Sequence, residues 1–240
     1  MKKNVLLDPK NGLLAKLSAS VCGRLRRDLQ PMELPAGKVL FEANAHQHSM
    51  YFLRSGLVSL LYVVENGDTS EIAMVGREGV VGMAILVDSH STPTRAVTQI
   101  AGEALLLPGE AVNQEFSRGG EFQFVLLRYT QALLAQMSQS SVCNRHHTVE
   151  KQLSRWLLSC QDRIGPMELK MTQEQIANLL GVRREGVTEA ARKLHDAEVI
   201  DYSRGTIHIL NRDELIARSC ECYGVVKREF DRLLSFEAVR

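Results

Sequence analysis

Net charge is almost missing from this chain: 29 Lys and Arg stand against 28 Asp and Glu, which leaves +1 over 240 residues. That excludes a histone-like coat for nucleic acid, so any electrostatic footprint must come from the local placement of charges. From Val149 onward there are fifteen basic and fifteen acidic residues, so this half is neutral as well. No apolar stretch reaches the roughly 20 residues that span a bilayer. The start, MKKNVLLDPKNG, has two lysines but only a three-residue apolar run before Asp8 and Pro9. A secretory signal needs a longer core, which predicts a cytoplasmic protein with no membrane partner. The five cysteines (Cys22, Cys143, Cys160, Cys220 and Cys222) form no paired framework, in keeping with a reducing compartment. Cys220 and Cys222 lie close together, but two thiolates without two further ligands nearby do not close a zinc site. No metal and no cofactor are therefore expected. There is also no Gly-x-Ser-x-Gly elbow, phosphate loop or His-Glu-x-x-His motif, which argues against an enzyme.

The chain does have ordinary globular bulk, with 45% hydrophobic and 24% charged residues. Its length suits one large or two medium domains. Residues 5–30 read as a short helical lead-in, with Leu13, Leu14, Leu17, Val21 and Leu25 at helix spacing. From Met32 the texture changes to short strands, expected at Val39–Phe41, Met50–Arg54, Leu57–Val64, Glu71–Val75, Arg95–Ile100 and Glu103–Leu107. Turn residues separate them, and Asn66-Gly67 is a hairpin signal because both residues accept positive φ. Many short strands at close spacing indicate an antiparallel roll or barrel rather than a parallel sheet.

Near Pro108 the pattern turns helical. Gly109–Ser117 is a short helix, and Glu121 to about His147 is a long one without Gly or Pro. Along it Leu127, Thr130, Leu134, Met137, Ser141 and Asn144 alternate three and four residues apart, the spacing of a coiled-coil dimer seam. Thr148–Gln161 is a further helix, anchored in the core by Trp156 and stopped by Gly165-Pro166. Two adjacent histidines, His146 and His147, sit between these helices. Neighbouring helical residues point about 100° apart, so a hinge hydrogen bond suits one of them better than a shared metal.

The most specific stretch is Thr172–Leu194, TQEQIANLLGVRREGVTEAARKL. Thr172-Gln-Glu-Gln175 is a capping-box pattern that starts a helix. The small Ala177 allows a second helix to cross closely, Gly181 takes the positive φ of a tight turn, and Ile176 and Val187 close a small core beneath it. The second helix then exposes Arg183, Arg184, Glu185, Glu189 and Arg192, groups suited to phosphates and base edges. Val199–Tyr202 and Thr206–Leu210 around Ser203-Arg204-Gly205 form a two-stranded wing, and Asp213–Leu234 a closing helix.

A β-roll, a long helix and a winged helix-turn-helix in this order resemble the catabolite-activator (Crp–Fnr) family of transcription regulators. The motifs that carry the resemblance are Met171–Ala177, Gly181–Val187, Thr148–Leu158 and the turn glycines Gly37, Gly56, Gly67, Gly76 and Gly82 of the roll. It implies an α+β fold divided into a sensor roll over 1–118 of cyclic-nucleotide-binding (jelly-roll) type, a dimerisation helix over 119–147 and a DNA-binding domain over 148–240. It also implies a homodimer on a palindromic promoter site, with the seam at Leu127, Thr130, Leu134, Met137 and Ser141, and RNA polymerase as a further partner. Carried over by position, Arg184 and Glu185 are the base-reading pair. Glu189 stands where the family has an arginine, which implies a different operator. Arg183 takes a phosphate, Gly186 lets the backbone approach DNA, and Arg192 shares the exposed face. Thr172, Gln173, Ser203 and Arg204 are backbone contacts.

The same resemblance places an effector against Gly82, Met83, Thr94, Arg95 and Ser138. Cyclic AMP would need a glutamate where Met83 stands and an arginine for its buried phosphate. Arg95 is out of step with that position, and an odd shift on a strand turns a side chain to the other face. The roll is therefore expected to answer to a small molecule of unknown identity other than cyclic AMP, or to have lost sensing. Haem, the other sensor option, would need one of His46, His48, His90, His146 or His147. Two alternatives stay open: a cyclic-nucleotide-responsive regulator, and a ligand-binding or scaffold protein with a degenerate DNA domain.

Overall fold

The computed structural model describes residues 10–87, 91–165 and 168–235. His90, Pro166 and the first residues of the expected lead-in, 5–9, lie outside them.

The chain enters through a 3-10 turn at Leu14–Lys16 and α1 (Ala19–Leu25), both shorter than the helix spacing suggested. The side chain of Asn11, fully buried, fixes this entry. Its amide donates to the carbonyls of Leu53 and Gly79 at 2.8 and 2.9 Å, and its oxygen accepts from the backbone N–H of Leu13 and Leu14.

Eight strands follow: β1 (Gln30–Leu34), β2 (Val39–Phe41), β3 (Ser49–Leu53), β4 (Leu57–Val63), β5 (Thr69–Val75), β6 (Val80–Val81), β7 (Thr94–Ile100) and β8 (Gly102–Pro108). They form two antiparallel four-stranded sheets, in the orders β1-β8-β3-β6 and β2-β7-β4-β5. This is the expected roll, with β1 and β6 added to the strands read from the sequence. β6 has only two residues, too few for an alternation to show. The β4–β5 hairpin forms, but only Gly67 takes positive φ. Asn66 instead accepts from the Asp68 N–H and lets a longer loop close.

The core between the sheets continues onto α2 (Gly109–Ser117) and α3 (Glu121–His146). α3 buries Phe122, Val125, Leu126, Tyr129, Ala132 and Leu133 against the roll. α4 (Val149–Ile164) follows, capped by Thr148, whose hydroxyl accepts from the N–H of Lys151. Then come β9 (Leu169–Lys170), α5 (Gln173–Leu180), α6 (Arg184–Asp196), β10 (Ile200–Ser203), β11 (Thr206–Ile209), α7 (Arg212–Arg218) and α8 (Glu221–Leu234). Two features differ from the sequence reading. The wing has a third strand, because β9 pairs with β11 through Thr206 opposite Lys170 and Ile207 opposite Leu169. The closing helix is two helices: the backbone leaves helical geometry at Ser219 and Cys220, and α8 restarts with Cys220 as its N-cap.

A second core joins the winged unit to the outer face of the roll. Trp156, Leu157, Ile176, Val187 and Leu194 pack with Leu57, Leu61 and Met74 of the second sheet. No helix among the described residues is long and apolar enough to cross a membrane.

Candidate nucleic-acid interface

The turn between α5 and α6 is built as its residues require. The Thr172 hydroxyl accepts from the Gln175 N–H at 3.2 Å, and the Gln175 side chain accepts from the Thr172 N–H at 2.8 Å, which completes the capping box. Gly181 ends α5 in the left-handed region at φ 65°, ψ 36°. Ile176, Ala177 and Val187 are buried beneath the turn.

Arg183, Arg184, Glu185, Thr188, Glu189 and Arg192 are all exposed on α6 or at its N-cap. They are not equally free. Glu189 pairs with Lys193 at 2.9 Å and Arg192 with Asp196 at 3.1 Å, each one helical turn apart. Hydrogen bonding to Lys193, and then its charge, lowers the Glu189 carboxyl below the usual range. Among the described residues no ion pair holds Arg183, Arg184 or Arg204. Glu189, the departure from the family's pattern, therefore faces solvent as one member of an exposed pair within its own helix.

Thr172, Gln173, Glu174, Arg184, Tyr202, Arg204 and Gly205 line a hollow of about 350 Å³ between the start of α5, the start of α6 and the wing turn. Four of the expected DNA contacts, Thr172, Gln173, Arg184 and Arg204, thus surround one concavity, although they span more than thirty residues of sequence. Arg204 sits at φ 50° beside Gly205 at φ 78°, which makes a tight wing tip. Thr188 and Tyr202, not expected from the sequence, help hold the arrangement: Thr188 donates to the Gln173 side chain at 2.6 Å, and Tyr202 donates to the Met171 carbonyl at 3.2 Å. Ser203 is exposed on β10. At Gly186 a Cβ would meet the side chain of Val149 on α4 at 3.4 Å, an ordinary van der Waals contact, so packing does not by itself demand glycine there.

The long helix divides into two faces. Opposite its buried row, Phe124, Leu127, Leu134 and Val142 are exposed, with Leu127 at 54% and Leu134 at 51%. Ser138 and Ser141 share this outer side, and Thr130 and Met137 lie at its edge, half-buried.

Between the roll and α3 lies a cavity of about 680 Å³ whose wall includes Phe41, Leu60, Ile72, Phe116, Leu133 and Met137. Of the expected effector positions, Gly82, Met83 and Thr94 line it, while Arg95 and Ser138 do not. The register explains Arg95. Thr94 and Ala96 are buried on the inner face of β7, whereas Arg95 stands opposite Leu61 and pairs outward with Glu42 at 2.9 Å. Gly82 has a backbone reason to be glycine: it sits at φ 106°, and a Cβ there would come within 2.7 Å of the Ser49 carbonyl oxygen. Among the described residues, no arginine lines the cavity.

A polar seam joins the roll to α4. The indole N–H of Trp156 donates to Glu71 at 3.0 Å, and Ser59 donates to the other oxygen of that carboxyl. Arg163 donates to Glu78 at 2.8 Å, to the Ser159 carbonyl at 3.0 Å and to Gln136 at 3.3 Å. Burial pushes the Glu71 carboxyl up to about 7, against the Ser59 and Trp156 hydrogen bonds and the charges of Arg155 and Arg163, which all act downward. The expectation of no metal ligands around Cys220 and Cys222 needs correcting. Folding brings Cys143 and His147 of the α3 end beside them, with all four ligand atoms within 4.8 Å of one another.

Two family models match parts of the chain: the cyclic nucleotide-binding domain over residues 31–118 and the Crp-like helix-turn-helix domain over residues 151–218. A CRP-like cAMP-activated global transcriptional regulator of Mycobacterium tuberculosis is 23% identical over 216 residues, covering 87% of this chain and 93% of that one. A global nitrogen regulator of Synechocystis is 25% identical over 205 residues, covering 80% and 91%. Among solved structures, FixK2 from Bradyrhizobium japonicum shares the fold, with a TM-score of 0.69 at 16% identity over 80% of this chain and 98% of that one. Fold and family mark a DNA-binding transcription regulator rather than an enzyme. The chain belongs to the Crp/Fnr family of transcriptional regulators.

Proposed function

We propose that the protein is a homodimeric regulator that reads a two-fold symmetric promoter site and answers to a signal other than cyclic AMP. The observation that carries the DNA reading is Arg184, exposed and without an ion pair at the start of α6, in one hollow with Thr172, Gln173 and Arg204. A guanidinium there has the fork geometry for guanine O6 and N7, while Glu185 beside it can accept from a cytosine amino group. Thr172, Gln173, Ser203 and Arg204, together with Arg183, act on phosphates and fix register. Glu189, tied to Lys193 and unsuited to phosphates, favours an operator different from that of relatives with an arginine there.

The outer row of α3 supports the dimer. Phe124, Leu127, Leu134 and Val142 form an apolar strip on a helix whose other sides pack on the roll and on α8, and pairing two such strips removes it from water. Two recognition helices would then enter successive major grooves about 34 Å apart. The apolar cavity, with Met83 in its wall and Arg95 turned outward, supports an uncharged or weakly polar effector over a cyclic phosphate. Such a ligand acts only through different affinities for the DNA-competent and incompetent arrangements.

The test is selection of bound fragments from a random DNA pool by the purified full chain. A symmetric consensus is expected, with Arg184→Ala weakening binding to it by roughly 1–3 kcal/mol and relaxing one base position in each half-site. Equal affinity for selected and random DNA at the same salt would sink the regulator reading and favour a scaffold with a degenerate DNA domain.

A further inference from the structure

The thiol cluster lies where the long helix hands over to the DNA-binding half. Cys143 is on the last full turn of α3 and His147 is its C-cap, while Cys220 is the N-cap of α8 and Cys222 lies in its first turn. The three cysteines are buried, and the His147 side chain is 12% exposed. Cys143 Sγ is 3.5 Å from Cys220 Sγ, and Cys222 Sγ is 3.5 Å from His147 Nδ1. Metal–sulfur and metal–nitrogen bonds of about 2.3 and 2.0 Å give a tetrahedron with edges of about 3.5–3.8 Å. Two of the edges already have that length, and no pair of the four atoms exceeds 4.8 Å. A single ion fits the space.

The surroundings are those of a ligand set rather than of core cysteines. His147 turns Nε2 towards the Glu221 carboxylate at 3.3 Å, which leaves Nδ1 for the cluster, as the carboxylate partner of a metal-bound histidine does. The Gln139 amide donates to Cys222 Sγ at 3.0 Å.

We propose that Cys143, His147, Cys220 and Cys222 form a Cys3His site for one thiophilic, tetrahedral divalent cation of the zinc class, which clamps the end of α3 to the start of α8. Binding exchanges the thiol protons for the ion and releases them to solvent. The clamp closes on the junction that sets how the DNA-binding half sits on the dimer helix, so its occupancy is a signal input separate from the roll cavity.

The test is a cobalt(II) titration of the reduced, metal-free full chain. One equivalent is expected to bind, with strong tetrahedral d–d bands and thiolate-to-cobalt charge transfer, and zinc should displace it. Cys222→Ser is expected to abolish the spectrum and Cys160→Ser to leave it unchanged. Loss of a buried thiol could unfold the chain, so the exposed Glu221→Gln serves as the second variant; it is expected to weaken binding about 10–100-fold while the fold persists. Absence of binding, a weak octahedral spectrum, undiminished binding in Cys222→Ser, or a Cys143–Cys220 disulfide forming with zinc present would each overturn the site.

Discussion

The roll cavity and the junction between roll, long helix and DNA-binding half are built from opposite materials. The cavity is wide and walled by Phe41, Leu60, Ile72, Phe116, Leu133 and Met137, side chains that can repack around different ligands. The junction is narrow and filled with groups that tolerate no misplacement: Glu71 under Trp156, Arg163 bonded to Glu78, Gln136 and a backbone carbonyl, and four soft ligand atoms at the α3–α8 contact. An apolar wall loses little when a neighbour moves, whereas a buried polar group that loses its partner keeps its full desolvation cost. Shape is therefore forgiving where family likeness points to an effector, and demanding where the two halves of the molecule meet.

The largest effect that tests this contrast is at Arg163. Arg163→Met is expected to destabilise by about 3–5 kcal/mol, because Glu78 and Gln136 lose their common partner. Leu133→Ala, in the cavity wall, is expected to fall at the low end of the roughly 2–5 kcal/mol of leucine truncations, since one side of Leu133 already faces a void. Urea unfolding of both variants checks this, and equal losses would remove the distinction. Next comes pH. The Glu71 carboxyl titrates at about 7 in the folded protein and at its ordinary 4.5 when unfolded, so the native state keeps a proton that the unfolded chain releases. Stability contributed by this group is thus fully present below about 4.5, declines as pH rises to about 7, and is flat above. At roughly 1.4 kcal/mol per unit the decline is on the order of 3 kcal/mol. Glu71→Gln, which keeps an oxygen for Trp156, should flatten that window and be the more stable protein at pH 8. An unchanged pH profile would show that another group carries it.

The two regions also differ in how much of them the sequence discloses. The helix-turn-helix is legible because every constraint is local: Thr172 caps with Gln175, Gly181 turns, and Ala177 and Val187 fall within fifteen residues of Gln173. Strand alternation shows most of the roll for the same reason; it misses β1, whose burial does not alternate, and it misses β6 of the roll and β9 of the wing because two residues have no period. The cavity is legible in part. Parity along β7 turns Arg95 to the outer face, but no local signal says that Met137 of α3 closes the wall. The junction is not legible. Cys220 and Cys222 look like an isolated pair, and the two ligands that complete the set come from Cys143 and His147, more than seventy residues earlier. Only the packing of α8 along α3 joins them. The same holds for Glu71, an ordinary strand residue until Trp156 covers it.

The remaining predictions set ligand against ligand. Zinc at about 100 times its dissociation constant is expected to stabilise the full chain by about 2.7 kcal/mol, because an ion held by ligands from α3 and α8 binds the folded state alone. For a chain of this size that is a rise of about 5–11 °C in the melting midpoint, reversed by chelator. Cyclic AMP at millimolar concentration is expected to give the smallest effect of all, no shift. Its phosphate would enter a cavity whose wall offers Met83 where a ribose hydroxyl needs an acceptor, while Arg95, next to the lining Thr94, is engaged with Glu42 on the far face of β7. An unpaired buried anion costs more than the adenine ring gains from apolar contact. A clear upward shift with cyclic AMP would mean that Arg95 or another donor can reach the cavity, and would bring the alternative of a cyclic-nucleotide-responsive regulator to the front. Zinc stabilisation without nucleotide stabilisation would instead locate the sensitive element of this regulator at the junction, where a signal has only to tighten or loosen one clamp to change how the DNA-reading helices are held.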